Sequence, residues 1–283
     1  MASRYKKVFR SRAMIKQFLK DGKTHLKIFL SLAKHSIQRD MAYRLDFISN
    51  LVSSVGWVNY SLVLILVLNS VTGGFGGWDK SQMLLLIGSW MINNGLAYFF
   101  FYRNMKQVVN DVHKGDLDYV LIKPLDSQFF VSFRRVILNA MCGVIEGFIV
   151  VIYALTAMNV APSPFDVIKY FILTAVSLSL YYSIWFFAAS LSIHFILADN
   201  LFYAVPDLAE VSKFPGSAYP KNLEYVFSSL IPIILFTTFP AEAIMGQQST
   251  LKFFYAIVVG IIFFCFTRWF WFWSLKRYTS ASS

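Results

Sequence analysis

The chain has 283 residues, of which 57% are hydrophobic, 18% aromatic and only 14% charged. An average soluble domain carries about 25% charged residues, so this composition excludes a soluble globular protein and predicts an integral membrane protein. The formal net charge of +11 makes nucleic acid a possible partner until the positions of the charges are considered.

Residues 1–44 form a basic N-terminal region that holds 12 Lys and Arg residues. Its apolar side chains recur with the period of a helix: Leu26, Phe29, Leu30, Ala33, Ile37 and Met41. This pattern predicts an amphipathic helix that lies in the membrane interface, with its lysines toward the lipid headgroups. Two interpretations stay open, a plain lipid anchor and an elbow helix that also contacts a cytoplasmic partner.

Six apolar segments follow, and a helix needs about 20 apolar residues to cross the hydrocarbon core. They are 47–71, 81–102, 136–160, 170–194, 225–241 and 253–275. We therefore predict an all-α integral membrane fold, a bundle of six transmembrane helices over residues 45–277, and a cytoplasmic tail at 278–283. The segment 199–220 is too polar to be taken as a span, and we expect it to lie along the cytoplasmic face.

The basic residues are distributed unequally between the two sides of this predicted bundle. Only Lys80, Lys169 and Lys252 fall on one side, and the other 23 of the 26 Lys and Arg residues fall on the opposite side. Basic loops stay in the cytoplasm, so both termini are predicted to be cytoplasmic. Orientation and contact with anionic lipid then explain the net charge, and no nucleic-acid partner is predicted.

The loop between the second and third spans contains the sequence GDLDYVLIKPL at residues 115–125. Gly115 can end the preceding helix, and Asp116 can cap the next one. Asp118 suits the first helical turn, and Pro124 stops the element. We expect a short helix of about two turns across the mouth of the two spans, either as a connecting turn or as a docking element for a soluble partner.

Glu146 is the single carboxylate at the middle of a predicted span. An unpaired charge there is unfavourable, so we expect Glu146 to face the bundle interior or to be protonated. It lies between Gly143 and Gly147, a spacing that favours close helix packing. A structural hydrogen bond and a role in a pathway or proton site both remain open.

Polar residues and prolines mark further candidates for a translocation path or gate. Asn93 and Asn94 in the second span suit hydrogen bonds between helices better than substrate contact. Pro232 and Pro240 break the short fifth span, and Glu242 follows directly. The backbone carbonyls that proline leaves free need partners, so this segment should pack inside protein or line a cavity.

No catalytic residue, metal site or bound cofactor is predicted for this chain. The phosphate-binding pattern GxxxxGK[ST] is absent from the sequence, and that loop is what ATP hydrolysis requires. The four histidines do not have the spacing of metal ligands. If ATP and Mg²⁺ power the protein, they are expected to bind to a separate partner chain.

Two stretches resemble a known family. The first comprises Gly115, Leu117-Asp118, Leu121 and Lys123-Pro124-Leu125; the second comprises Phe214-Pro215, Tyr219-Pro220, Pro232, Phe239-Pro240 and Gly246. Both resemble the bacterial type-2 ABC exporter permeases, six-span membrane subunits that lack an ATPase domain.

This resemblance implies a location in the bacterial cytoplasmic membrane and two partners, an ABC ATPase subunit and a second permease subunit, either a second copy or a related paralogue. It also implies that the loop is a coupling helix that docks on the ATPase together with the N-terminal elbow, and that the fifth span lies near the extracytoplasmic gate. The implied coupling residues are Gly115, Asp116, Leu117, Asp118, Lys123, Pro124 and Leu125.

Two other functions remain as alternatives to an exporter subunit. A secondary carrier or channel driven by an ion gradient would be expected to show several membrane charges or an inverted repeat. A membrane scaffold without transport activity is the other alternative. For a transporter, the apolar and aromatic spans predict a hydrophobic or amphipathic substrate.

Overall fold

A computed structural model describes residues 22–195 and 198–278, and within these ranges the fold is built from helices. The helices are α1 Gly22–Ala42, α2 Arg44–Thr72, α3 Lys80–Ala97, α4 Arg103–Lys114, α5 Leu117–Leu121, α6 Ser127–Ser132, α7 Met141–Ala157, α8 Pro164–Leu191, α9 Ala198–Val211, α10 Lys221–Tyr225, α11 Thr238–Ile244 and α12 Thr250–Leu275. Short 3₁₀ or π-helical turns occur at Tyr98–Tyr102, Leu138–Ala140, Gly216–Ala218, Val226–Leu230 and Ile234–Phe236. The all-α prediction is confirmed for these residues, whose one β-type pairing is an isolated bridge between Phe75 and Trp78.

Five helical segments of the described chain are long and apolar enough to cross a membrane. They are Arg44–Leu68, Lys80–Lys114, Leu138–Ala157, Pro164–Leu191 and Thr250–Leu275. A bent pair, Lys221–Ser229 and Ile234–Ile244, has an angle of 63° between its halves and would add a sixth span only if the two halves are counted as one. The protein is therefore a multi-pass membrane protein.

The bundle has two ends, which its connecting segments define. The glycine-rich end holds the turn of residues 73–77 between α2 and α3. The basic end holds residues 115–135, between α4 and α7. The helical segment Lys80–Lys114 connects these ends and continues through the π-helical turn into α4. It thus extends well past residue 102, where the second span was predicted to stop.

Residues 198–218 pass from the basic end to the glycine-rich end, so their predicted position along the cytoplasmic face is wrong. The indole N–H of Trp90, within α3, donates to the Ala209 carbonyl at 3.0 Å. Further along, the Ser217 hydroxyl donates to the Gly76 carbonyl at 2.5 Å, within the glycine-rich turn. Polar groups of this segment form hydrogen bonds inside the protein, so a polar segment can lie within the bundle.

The predicted fifth span is also misplaced, because the chain from 219 to 245 forms a re-entrant hairpin. It begins at the glycine-rich end and dips between helices, where Leu235 and Phe236 accept hydrogen bonds from Ser177 at 2.7 Å and Asn93 at 2.9 Å. It then returns to the same end, where Gly246 lies beside the carboxylate of Asp166 at the start of α8. Pro232 lies in the non-helical stretch between the two halves and makes this reversal possible. Pro240 was also predicted to break the span, but it lies in the first turn of α11.

Two helices form the centre of the bundle, and α2 lies at its edge. Helix α8 packs against α4, α9, α11 and α12, and it buries a series of aromatic side chains: Tyr181, Tyr182, Trp185 and Phe186. Helix α3 packs along α7 and is buried over most of its length. Helix α2 instead leaves most of its apolar side chains exposed.

Candidate functional site

Gly115 ends α4 and turns the chain into the loop at the basic end. Its φ is +75°, in the left-handed region that glycine adopts readily, and its N–H donates to the Val112 carbonyl at 3.3 Å. Asp116 stands at the N-cap position of α5, but its side chain makes no capping hydrogen bond. Helix α5 has 5 residues, shorter than the predicted two turns, because the chain turns away before Pro124.

The two faces of α5 have opposite environments. Leu117 and Val120 are 0% and 5% exposed and pack into the core. Tyr119 and Ile122 point away from it and are 68% and 77% exposed. Tyr119 and Ile122 were not predicted from the sequence. Helical spacing separates positions 117 and 120 from 119 and 122, but both pairs are apolar, so the pattern does not show which face is exposed.

Charged side chains surround the two exposed apolar ones. Asp116, Lys123 and Pro124 are exposed, while Asp118 and Leu125 are half-buried. The Lys123 ammonium lies 4.0 Å from the centre of the Phe130 ring, which holds the end of the loop against α6. We call the exposed set Asp116, Tyr119, Ile122 and Lys123 the docking surface, after the role that we propose for it below.

The chain just after the docking surface is attached to α12. Asp126 caps α6 by accepting from the Phe129 N–H at 2.9 Å, and its other carboxylate oxygen pairs with Arg268 at 2.9 Å. The same Arg268 donates to Gln128 at 3.1 Å. The Trp271 indole N–H, one turn further along α12, donates to the Ser127 hydroxyl at 3.1 Å.

Two buried polar groups extend this attachment to α8 and α4. The Tyr182 hydroxyl of α8 accepts from Gln128 at 3.0 Å and lies 2.8 Å from the Ser132 hydroxyl. The Asn104 side chain of α4 donates to the carbonyls of Ser132 at 2.9 Å and Arg135 at 2.7 Å. The chain just after the docking surface is therefore hydrogen-bonded to α4, α8 and α12.

Positive charge accumulates beside this network. Burial, followed by the nearby guanidinium groups of Arg39, Arg103 and Arg134, lowers the pKa of Arg135. Arg134 pairs with the buried carboxylate of Asp111 at 2.7 Å. Arg39 and Arg103 pair with Asp40, so much of this positive charge is balanced within the protein.

Helix α1 packs at the same end as the docking surface. The Phe29 ring lies 6.0 Å from that of Phe100 and 5.9 Å from that of Phe133. The Ser36 hydroxyl donates to the Val136 carbonyl at 3.1 Å. The position of α1 in the membrane interface remains a prediction, as does its contact with a partner.

The predicted packing glycines differ in what they contact. A Cβ added to Gly147 would lie 2.8 Å from the Gly88 carbonyl oxygen and 2.9 Å from the Ile92 nitrogen, so α3 and α7 approach closely there. Gly143 faces α2 instead, where an added Cβ would lie 3.3 Å from Val58. Gly88 is the partner that the sequence analysis missed.

Glu146 is half-buried on α7, at the edge of the face that packs on α3. Across residues 22–195 and 198–278 it makes no hydrogen bond or ion pair. The sequence predicts that Glu146 faces the bundle interior or is protonated, and its half-buried position without a partner leaves both alternatives open. Protonation and a role in a pathway remain predictions.

Asn93 holds the re-entrant hairpin through Phe236, as described above, while its side-chain oxygen is buried without a hydrogen-bond partner. Asn94 is half-buried and does not share this contact. Pro232 and Pro240 are buried within the hairpin. The structure thus brings Asn93 and the hairpin prolines together in one region, far from the docking surface.

Glu242 closes the glycine-rich end of the hairpin with an ion pair. Its two carboxylate oxygens lie 3.0 and 3.2 Å from the Lys252 ammonium, at the start of α12. The pair borders a cavity between the hairpin and α12.

Lys213 is a buried charge that the sequence analysis placed on the basic side. Its ammonium pairs with Glu210, donates to the Ser61 hydroxyl at 2.9 Å and lies 4.1 Å from the centre of the Trp90 ring. Lys221 likewise follows the segment that reaches the glycine-rich end. The excess of basic residues at the basic end persists without these two.

Among the described residues, no group of His, Cys, Asp or Glu could hold a metal ion.

Comparison with known proteins identifies the family. No curated protein and no solved structure matches the chain. A family model described as ABC-2 family transporter protein matches residues 55–282, most of the chain. The chain therefore belongs to the ABC-2 transporter family, as the membrane-embedded permease of an ABC transporter.

Proposed function

We propose that this permease forms the pathway of an exporter and that a separate ATPase subunit drives it by binding at the docking surface. ABC-2 permeases normally work with an ATPase subunit. The observation that carries the proposal is the exposure of Tyr119 and Ile122 on a short helix that is fixed to the bundle. Aromatic and aliphatic anchors with a charged rim are typical of protein interfaces.

The hydrogen-bonded attachment of the loop supports its role as a coupling element. A flexible connection would absorb the motion of a bound ATPase, whereas a rigid one transmits it. Asp126 and Gln128 connect the loop to Arg268 on α12, and Gln128 also reaches Tyr182 on α8. Closure of the ATPase would thus move α8 and α12, which pack against each other, and would change access to the pathway.

We propose that a second permease subunit, either a second copy or a related chain, covers α2 and the neighbouring part of α9. Trp57 and Tyr60 of α2 are both 56% exposed. The partly exposed carboxylate of Glu210 lies near this face. It pairs with Lys213, and Lys213 in turn donates a hydrogen bond to Ser61 of α2 and lies beside the Trp57 ring. A carboxylate at this depth would be unfavourable against lipid, and a protein or water-filled boundary removes that penalty.

The excess of basic residues at the docking end supports an orientation with that end in the cytoplasm. This orientation places the ATPase site on the side where ATP is found and both termini in the cytoplasm. The bacterial cytoplasmic membrane is the location proposed. The apolar and aromatic character of the spans supports a hydrophobic or amphipathic substrate.

The test is co-purification of the tagged full-length chain with its ATPase from the native host, followed by mass spectrometry. We expect a stoichiometric ATPase, and we expect Tyr119→Ala combined with Ile122→Ser to reduce its recovery at least about tenfold, because interface anchors contribute about 2 kcal/mol or more each. The matched control is Leu251→Ser, at the opposite end of the bundle, where the side chain is 82% exposed.

Recovery of the ATPase with the double variant at the level of the unsubstituted chain would refute the docking surface. A homo-oligomer without any ATPase would refute the exporter proposal and would favour the gradient-driven carrier or the scaffold. Loss of the ATPase with Leu251→Ser as well would show a general destabilisation, and the docking surface would then be rejected.

A further inference from the structure

A cavity of 680 Å³ opens at the glycine-rich end, between the re-entrant hairpin and α12. This volume lies in the range of small-molecule sites, about 300–1,000 Å³. Four aromatic side chains contribute to its wall: Trp78, Tyr225, Phe239 and Tyr255. The Tyr255 hydroxyl is fixed by donation to the Ser228 carbonyl at 2.9 Å.

The charged groups of the wall do not balance. Glu242 and Lys252 form the ion pair described above. Glu224, on α10, also lines the cavity and is half-buried. Its carboxylate has no hydrogen bond or ion pair within the described residues. The cavity therefore holds one unpaired negative charge beside aromatic rings.

We propose that this cavity binds an amphipathic organic cation, a molecule with one positive charge on an apolar body. Glu224 pairs with the charge, and the aromatic walls receive both the charge and the apolar body. The Glu242–Lys252 pair closes the border of the site without adding net charge. The site lies at the end opposite to the docking surface; its use as the last binding site of the exported molecule rests on the proposed function.

Two sources can supply this chemistry, a transported cation and the amine headgroup of a membrane lipid. The experiment measures binding of tetraphenylphosphonium to the full-length chain in nanodiscs, with empty nanodiscs as the reference. Tetraphenylborate, which has nearly the same shape and the opposite charge, is the matched ligand control. The titration is repeated in discs of phosphatidylglycerol mixed with a neutral glycolipid and in discs of phosphatidylglycerol mixed in the same ratio with phosphatidylethanolamine, so that both bilayers have the same anionic charge.

We expect saturable binding of the cation and no saturable binding of the anion. Glu224→Gln should weaken binding of the cation about tenfold, because the amide lacks the negative charge that attracts the cation. Glu224→Asp keeps the charge and should retain most of the affinity, which separates loss of charge from misfolding. Asp46→Asn, at the basic end of α2, is the control for a carboxylate elsewhere.

Weaker binding in the discs with phosphatidylethanolamine would identify the lipid amine as a competing occupant, and equal binding in both discs would favour a transported cation; either result supports the site. Equal affinity for the cation and the anion, or an unchanged affinity with Glu224→Gln, would overturn the proposal. The measurement requires no ATPase, so failure of the docking proposal does not affect it.

Discussion

Replacement of Gly147 by alanine tests a close helix contact of the bundle. The added Cβ would lie 2.8 Å from the Gly88 carbonyl oxygen, 2.8 Å from the Ile92 side chain and 2.9 Å from the Ile92 nitrogen. Two of these atoms belong to the main chain and cannot move aside without a shift of α3. Separating α3 from α7 would also loosen the cluster of buried side chains between them.

The expected magnitude follows from two opposing effects. Overpacking of a tight contact costs about 1–3 kcal/mol, and three contacts this short suggest the upper end. Alanine also favours the helix over glycine by about 1 kcal/mol. We therefore expect Gly147→Ala to lower the free energy of unfolding by about 2 kcal/mol, a net value that combines those two effects.

Gly56 supplies the matched control, because it lies within α2 and an added Cβ there would have no atom within 4 Å. Gly56→Ala should leave the free energy of unfolding unchanged or raise it by up to about 1 kcal/mol. The measurement is an SDS titration of the purified chain in mixed micelles, followed by tryptophan emission. Equal unfolding midpoints for the two variants would refute the close approach of α3 and α7 at this position.

Two further predictions concern the hairpin and the coupling network. Asn93→Ala should lower the free energy of unfolding by about 1–3 kcal/mol, because it leaves the buried Phe236 carbonyl without its donor. Asn94→Ala removes no such bond and should have a smaller effect in the same SDS titration. A larger loss of stability with Asn94→Ala than with Asn93→Ala would contradict the hairpin geometry. Arg268→Gln should retain the ATPase in co-purification but reduce ATP-dependent transport in proteoliposomes, because it removes the charged contact with Asp126. The pair is partly exposed, so the free energy of unfolding should fall by only about 1 kcal/mol or less. Full transport by this variant would refute the mechanical role of the network.

Several features were readable from local sequence. The apolar segments predicted an all-α membrane fold because apolar length is a local property that the bilayer selects. Gly115 was expected to end a helix, and it does so in the left-handed conformation that suits glycine. The family was also readable, since the motifs at 115–125 and 214–246 belong to one contiguous match over residues 55–282.

Tertiary structure decided which polar segments lie inside the bundle. Residues 198–218 looked too polar to cross, yet Glu210 and Lys213 satisfy each other, and Lys213 also reaches Ser61 of α2. The apolar run at 225–241 looked like a span, yet Ser177 and Asn93 bind its carbonyls and turn it back. Hydropathy averages over neighbours in sequence, whereas these partners come from distant helices.

The same distinction holds for the sites. The sequence alone determined that a short helix follows Gly115, because the glycine and the proline act through adjacent residues; the predicted cap by Asp116 did not form. Only the packing of Leu117 against the core decided that Tyr119 and Ile122 face outward. The cavity that leaves Glu224 unpaired depends likewise on the approach of the hairpin to α12. Burial depends on how distant elements meet, and the local pattern of a sequence does not contain that information.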